Sequence, residues 1–139
     1  MVIRKGRGPY TGRYDLPGGT VEANESLAEA VVREFMEETG VSVSIKRNIG
    51  VCELLIPYEL PKRGTTHIHH VAVFYFVESI SGMSTDKPQT FDGQDSLGAT
   101  WLHINEIHPA NSSPLVVQAK EWLETGRISH ECGRWTPKT

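Results

Sequence analysis

Between Asn24 and Gly40 the chain carries a helical pattern with glutamates where a buried face should run. Asn24 reads as the N-cap, the helix is expected from about Glu25 to Thr39, and Gly40 stands where a left-handed residue closes a helix. At about 100° per residue, Leu27 and Val31 define a core-facing stripe, Glu34 and Glu38 continue down it, and Glu37 lies beside Glu34. Three carboxylates therefore crowd one side of the last two turns. A like-charged pair four apart costs a helix a few tenths of a kcal/mol. Acids near a helix C-terminus oppose the macrodipole, and partial burial adds a larger desolvation cost. A divalent cation reverses the sign of all three effects. An all-carboxylate donor set selects a hard ion, Mg²⁺ or Mn²⁺, over zinc. A solvated acidic face is the plain alternative. Against it stand Arg33, whose forked donors can hold a carboxylate, and Leu16-Pro17-Gly18-Gly19 just upstream, whose glycines allow close approach of another group.

The rest of the chain supplies a sheet and a second helix. Val41 to Ile45, Gly50 to Ile56, His70 to Val77 and Ala99 to His103 read as strands, and Pro57 to Thr66 and Ser81 to Gly98 as loops. A helix is expected after Ser113, with Pro114 at its first position and Gly126 beyond its end. Leu115, Ala119, Trp122 and Leu123 give it an apolar stripe. This order suggests an α/β (α+β) sandwich.

Composition narrows the function. With 139 residues, 38% hydrophobic and 22% charged, the chain fits one globular domain over 1–139 and not a disordered one. A net charge of −3 argues against bulk nucleic-acid binding and leaves room for a small anionic substrate met by a local basic patch. No apolar run approaches the roughly 20 residues that span a bilayer. The start of the chain has no signal-peptide core, so the expected location is cytoplasmic. Cys52 and Cys132 lack metal-ligand spacing and read as free thiols.

From Gly19 to Val41 the residues G-TVEAN-E-SLAEAVV-RE-F-M-EE-T-G-V resemble the Nudix box, G-x5-E-x7-R-E-U-x-E-E-x-G-U, with U a bulky apolar residue. Every fixed position is filled: Gly19, Glu25, Arg33, Glu34, Glu37, Glu38 and Gly40. Phe35 takes the first U position, where aliphatic residues are commoner. The resemblance implies a Nudix-type α/β/α sandwich with a mixed β-sheet. It also implies dependence on Mg²⁺ or Mn²⁺, and a substrate consisting of a nucleoside diphosphate joined to another group. By position, Glu34, Glu37 and Glu38 would ligate metal, and Arg33 would orient a carboxylate. Glu25 would be accessory, and Gly19 and Gly40 structural. The catalytic set is then Glu34, Glu38 and Arg33, with Asp92 and Asp95 as loop candidates for an additional base and Asp95 ranked first.

Family members usually carry a fuller strand or hairpin before the Leu-Pro-Gly-Gly segment. Here the N-terminal strand is expected to be shortened to Val2-Ile3, through a truncated start or with a homodimer covering the exposed sheet edge. Arg4, Lys5, Arg7 and Arg13 cluster before the box, and Arg4 and Arg13 are the candidate phosphate contacts. His67 and His69 share a strand face, but a metal site there wants a third ligand that the sequence does not assign. Family hints on substrate cancel: Pro57 points to ADP-ribose and the adjacent Tyr58 to diadenosine polyphosphates. Two rivals remain. A non-catalytic nucleotide-ligand sensor generally has eroded box acids, which this chain does not. An isoprenoid diphosphate isomerase relative wants a cysteine–glutamate pair, and Cys52 has no assigned partner.

Overall fold

The computed structural model describes residues 1–82, 93–129 and 131–137. Strand β1 (Val2–Lys5) lies between β2 (Tyr14–Asp15) and β5 (Ser96–Thr100), antiparallel to both. The second sheet is dominated by a long hairpin of β3 (Ser42–Leu60) and β4 (Thr65–Ser81), with the short β6 (Gly133–Arg134) parallel to β3. Helices α1 (Leu27–Thr39) and α2 (Pro114–Thr125) complete a mixed α/β sandwich. No helix among the described residues is long and apolar enough to cross a membrane.

Helix α1 starts two residues later than the sequence suggests. Ser26, not Asn24, is the N-cap: its hydroxyl accepts from Glu29 N–H at 3.2 Å, and Glu29 Oε2 accepts from Ser26 N–H at 2.7 Å. This reciprocal box satisfies two orphan donors, while Asn24 sits in a left-handed turn at φ 64°. Glu25 is thereby left outside the helix, free to fold back toward Arg33. Gly40 closes the helix as expected, at φ 75° with its N–H on Met36 O.

The apolar stripe also needs correction. Leu27 is exposed, and the buried positions of α1 are Ala30, Phe35, Glu38 and Thr39. Phe35 anchors the helix against Val41 and Val43. The bulky residue at the first U position of the box is thus a packing element. In α2, Leu115 and Val116 are buried and Leu123 is exposed, so that stripe is rotated by one position.

The predicted break between two strands at 46–49 is absent. Irregularities at Ile45/Arg47 and Asn48/Gly50 absorb the misfit, and β3 stays paired with β4 throughout. Pro57 lies inside the strand, opposite His67, so the expected loop shrinks to the 61–64 turn. The core gathers Cys52, Leu54, Ile56, Phe74, Tyr10, Leu115 and Ile128 between the hairpin and α2.

The N-terminal strand is central in its sheet and is not an edge. Beyond β2, Tyr14 N–H donates to Asn111 O and Ser113 N–H to Tyr14 O, so the chain itself shields that side.

Candidate active site

The C-terminal half of α1 faces the Gly18–Gly19 loop across an open cleft of about 420 Å³. Glu34, Glu37, Glu38, Arg33, Gly18, Gly19 and Asp95 are among its lining residues. Three tertiary contacts bring these segments together. Ser96 Oγ donates to Glu38 O and Gln94 Nε2 to Glu37 O, which docks the start of β5 on the helix end. Gly18 N–H donates to Glu38 Oε2 at 2.9 Å, which docks the loop.

Gly19 packs directly on the carboxyl of Glu34. A Cβ there would lie 2.5 Å from Glu34 Cδ. Only glycine leaves that carboxylate where it is. Gly19→Ala is expected to cost little stability, because the clash is with the far end of a flexible side chain. It should still weaken metal affinity and turnover at least tenfold, since the displaced carboxylate is a candidate ligand; calorimetry and steady-state kinetics on the same preparation check this.

Arg33 is the hub of the acidic face. Its Nε and NH2 donate to the two oxygens of Glu25 at 2.8 Å each, NH1 to Glu34 Oε1 at 3.0 Å and Glu37 Oε2 at 3.2 Å, and NH2 also to Thr20 O. This fork holds Glu25 down at about 2, with the Glu22 N–H adding to the effect. The guanidinium is in turn held above its ordinary range, first by Glu25.

Glu38 is the outlier. Only 3% exposed, its carboxyl is pushed up to about 8 by desolvation, against which the Gly18 hydrogen bond and Lys5 work. Desolvation likewise raises Glu34, with Arg33 opposing it. A buried acid so short of compensating positive charge favours a cation placed against it. The donors are all carboxylate oxygens, so Glu34, Glu37 and Glu38 fit a hard divalent cation by chemistry as well as by position.

The structure brings Asp95 to the cleft, where its Oδ2 accepts from Lys5 Nζ at 2.8 Å. Asp92 lies outside the described residues. Arg4 and Arg13 do not line the cleft: Arg4 is exposed on β1, and Arg13 donates to Pro109 O and Ser112 O and lies over the Trp135 ring. Lys5 is the cation that the sequence ranking missed. Burial alone would lower its ammonium, but the Asp95 hydrogen bond and the charges of Asp15, Asp95 and Glu38 hold it above its usual value. Strand alternation alone does not find it, since Val2 and Ile3 are both buried; the contact with Asp95 singles out Lys5. Cys52 sits in the core and does not line the cleft, so it offers no thiol for isomerase chemistry there.

Residues 1–125 match the family model described as NUDIX domain. The chain is 31% identical over 107 residues to an ADP-ribose pyrophosphatase of Methanocaldococcus jannaschii, covering 77% of this chain and 56% of that protein. It is 36% identical over 90 residues to a putative 8-oxo-dGTP diphosphatase of Bacillus subtilis, covering 64% and 49%. A solved NUDIX hydrolase from Nitrosomonas europaea superposes with a TM-score of 0.66 at 26% identity, covering 91% of this chain and 80% of that one. The chain spans about half the length of these two curated relatives. Match and site geometry agree: this chain belongs to the NUDIX domain family.

Proposed function

We propose that the chain hydrolyses a phosphoanhydride in a nucleoside diphosphate linked to a second group, with a divalent metal as cofactor, giving a nucleoside monophosphate and a phosphorylated product. The observation that carries this reading is the convergence of Glu34, Glu37, Glu38 and Asp95 on one open cleft, with the Glu38 carboxyl buried. The relative named an ADP-ribose pyrophosphatase supports the substrate class.

Glu34, Glu37 and Glu38 would hold the cation. When bound, it supplies positive charge to the non-bridging phosphate oxygens and acidifies the attacking water. Arg33 keeps the Glu34 and Glu37 carboxylates from swinging away. Water oxygen bonds to phosphorus, the bridging P–O bond breaks, and the water proton passes to a carboxylate. Glu34 suits that role, because burial moves its proton affinity toward the working pH while one oxygen stays anchored on Arg33. Asp95, whose Oδ2 holds Lys5, suits positioning better than proton transfer. Glu34→Gln is therefore expected to lower kcat by about 10² or more, and Asp95→Asn by less than about tenfold.

A panel of ADP-ribose, a nucleotide sugar, a diadenosine polyphosphate and 8-oxo-dGTP, each with Mg²⁺ and with Mn²⁺, tests the reading by product chromatography. Cleavage of a diphosphate-linked compound to the nucleoside monophosphate is expected. Release of pyrophosphate from the triphosphate alone would move the substrate class toward that of the Bacillus subtilis relative. No cleavage of any member would overturn the proposal.

A further inference from the structure

We propose that Glu53, His69 and Cys132 form a second metal site, selective for a borderline or soft divalent cation of the Zn²⁺ type, on the solvent face of the β3–β4 hairpin. It is independent of the hydrolytic reading.

Strand geometry places the three side chains together. Cys52, Leu54 and Ile56 point into the core, so Glu53 points out. In β4, His69 pairs with Leu55 and Val71 with Glu53, which sets His69 on the same outer face, one diagonal step from Glu53. Parallel pairing of Leu54 with Gly133 brings Cys132 beside Glu53. One ligand atom from each residue lies within 4.8 Å of the other two, and His69 Nε2 and Glu53 Oε2 are already 2.8 Å apart. Bond lengths of about 2.0–2.3 Å around a tetrahedral zinc call for ligand atoms roughly 3.3–3.8 Å apart. Side-chain torsions alone close that gap, since both Glu53 and His69 are half exposed.

The donor chemistry separates this site from the cleft. Imidazole, thiolate and a single carboxylate favour Zn²⁺ and its neighbours and disfavour Mg²⁺, whereas Glu34, Glu37 and Glu38 do the reverse. Three protein ligands leave a fourth position facing solvent. Binding displaces the Cys132 thiol proton. The cation would also pin the C-terminal segment. Strand β6 has only two residues, and Trp135, whose N–H donates to Leu55 O, packs edge-on against Tyr10 at 5.1 Å.

The test uses Co²⁺ as a spectroscopic probe on the full chain, under a phosphine reductant and with excess Mg²⁺ filling the carboxylate cleft. One equivalent of Co²⁺ is expected to give a thiolate-to-cobalt charge-transfer band in the near ultraviolet, bleached by stoichiometric Zn²⁺. Cys132→Ser should abolish the band and His69→Gln should weaken Co²⁺ binding at least tenfold. Both positions are exposed, so both variants should fold. Absence of the band in the wild type, its survival in Cys132→Ser, or unchanged affinity in His69→Gln would each overturn the proposal.

Discussion

Glu38→Gln is expected to lower turnover by roughly 10²–10³-fold and at the same time to raise the melting temperature of the metal-free protein. The two effects share one cause. Glu38 is a carboxylate 3% exposed, with its carboxyl pushed up to about 8 from an ordinary 4.5. An isosteric amide can still accept the Gly18 hydrogen bond, so folding keeps its docking contact. What it loses is the charge that a cation needs and that burial resists. Because the folded value lies above the unfolded one, the folded protein holds a proton that the unfolded chain has released between about pH 4.5 and 8. Glu38 therefore contributes most to stability below about pH 4.5, and that contribution is lost as pH rises through about 8, on the order of 5 kcal/mol in all. Differential scanning calorimetry in chelator should show the wild-type melting temperature falling from pH 6 to pH 9, and a shallower fall in Glu38→Gln. Saturating Mn²⁺ should flatten the wild-type curve, since the cation competes with the proton. Parallel slopes for the two proteins would contradict this account of Glu38.

Arg33 is the second position with a large expected effect. Its guanidinium serves Glu25, Glu34 and Glu37 together, and its Glu25 contact is bidentate. Arg33→Ala leaves three carboxylates without their shared cation, and should lower stability measurably and kcat by roughly 10². Arg33→Lys keeps the charge but loses the planar fork, so it cannot hold Glu25 at two points while reaching Glu34 and Glu37. Its stability should fall between wild type and alanine, with kcat still lowered at least tenfold. Chemical denaturation and steady-state kinetics separate the two quantities. Wild-type kcat in Arg33→Lys would show that charge alone suffices and that the fork has no positioning role.

The acidic face was legible in the sequence because it lies on one continuous helix. Spacing there converts directly into geometry, and the Gly40 stop and the Pro114 start were equally local. Errors came wherever tertiary context decides. Asn24 and Ser26 are both good caps, and the deciding signal was Glu29 three residues after Ser26. The polar stretch around Lys46 to Ile49 looked like a break, and only pairing with β4 keeps it in the strand. Lys5 was hidden among three basic neighbours, Arg4, Arg7 and Arg13, and only its contact with Asp95, far along the chain, singles it out. The Glu53, His69 and Cys132 cluster could not be read at all, because its members come from three separate segments joined only by sheet register.

The central claim is that a divalent cation binds against the crowded end of α1. Its most direct test is calorimetric titration of the metal-free protein with Mn²⁺ at pH 7, repeated in two buffers of different ionisation enthalpy. Saturable binding is expected, with proton release that reports displacement from Glu38, and with both signals lost in the Glu34→Gln/Glu38→Gln double variant. Wild-type protein that takes up no Mn²⁺, even with a nucleoside diphosphate compound supplied, or a double variant that binds it equally well, would contradict the claim.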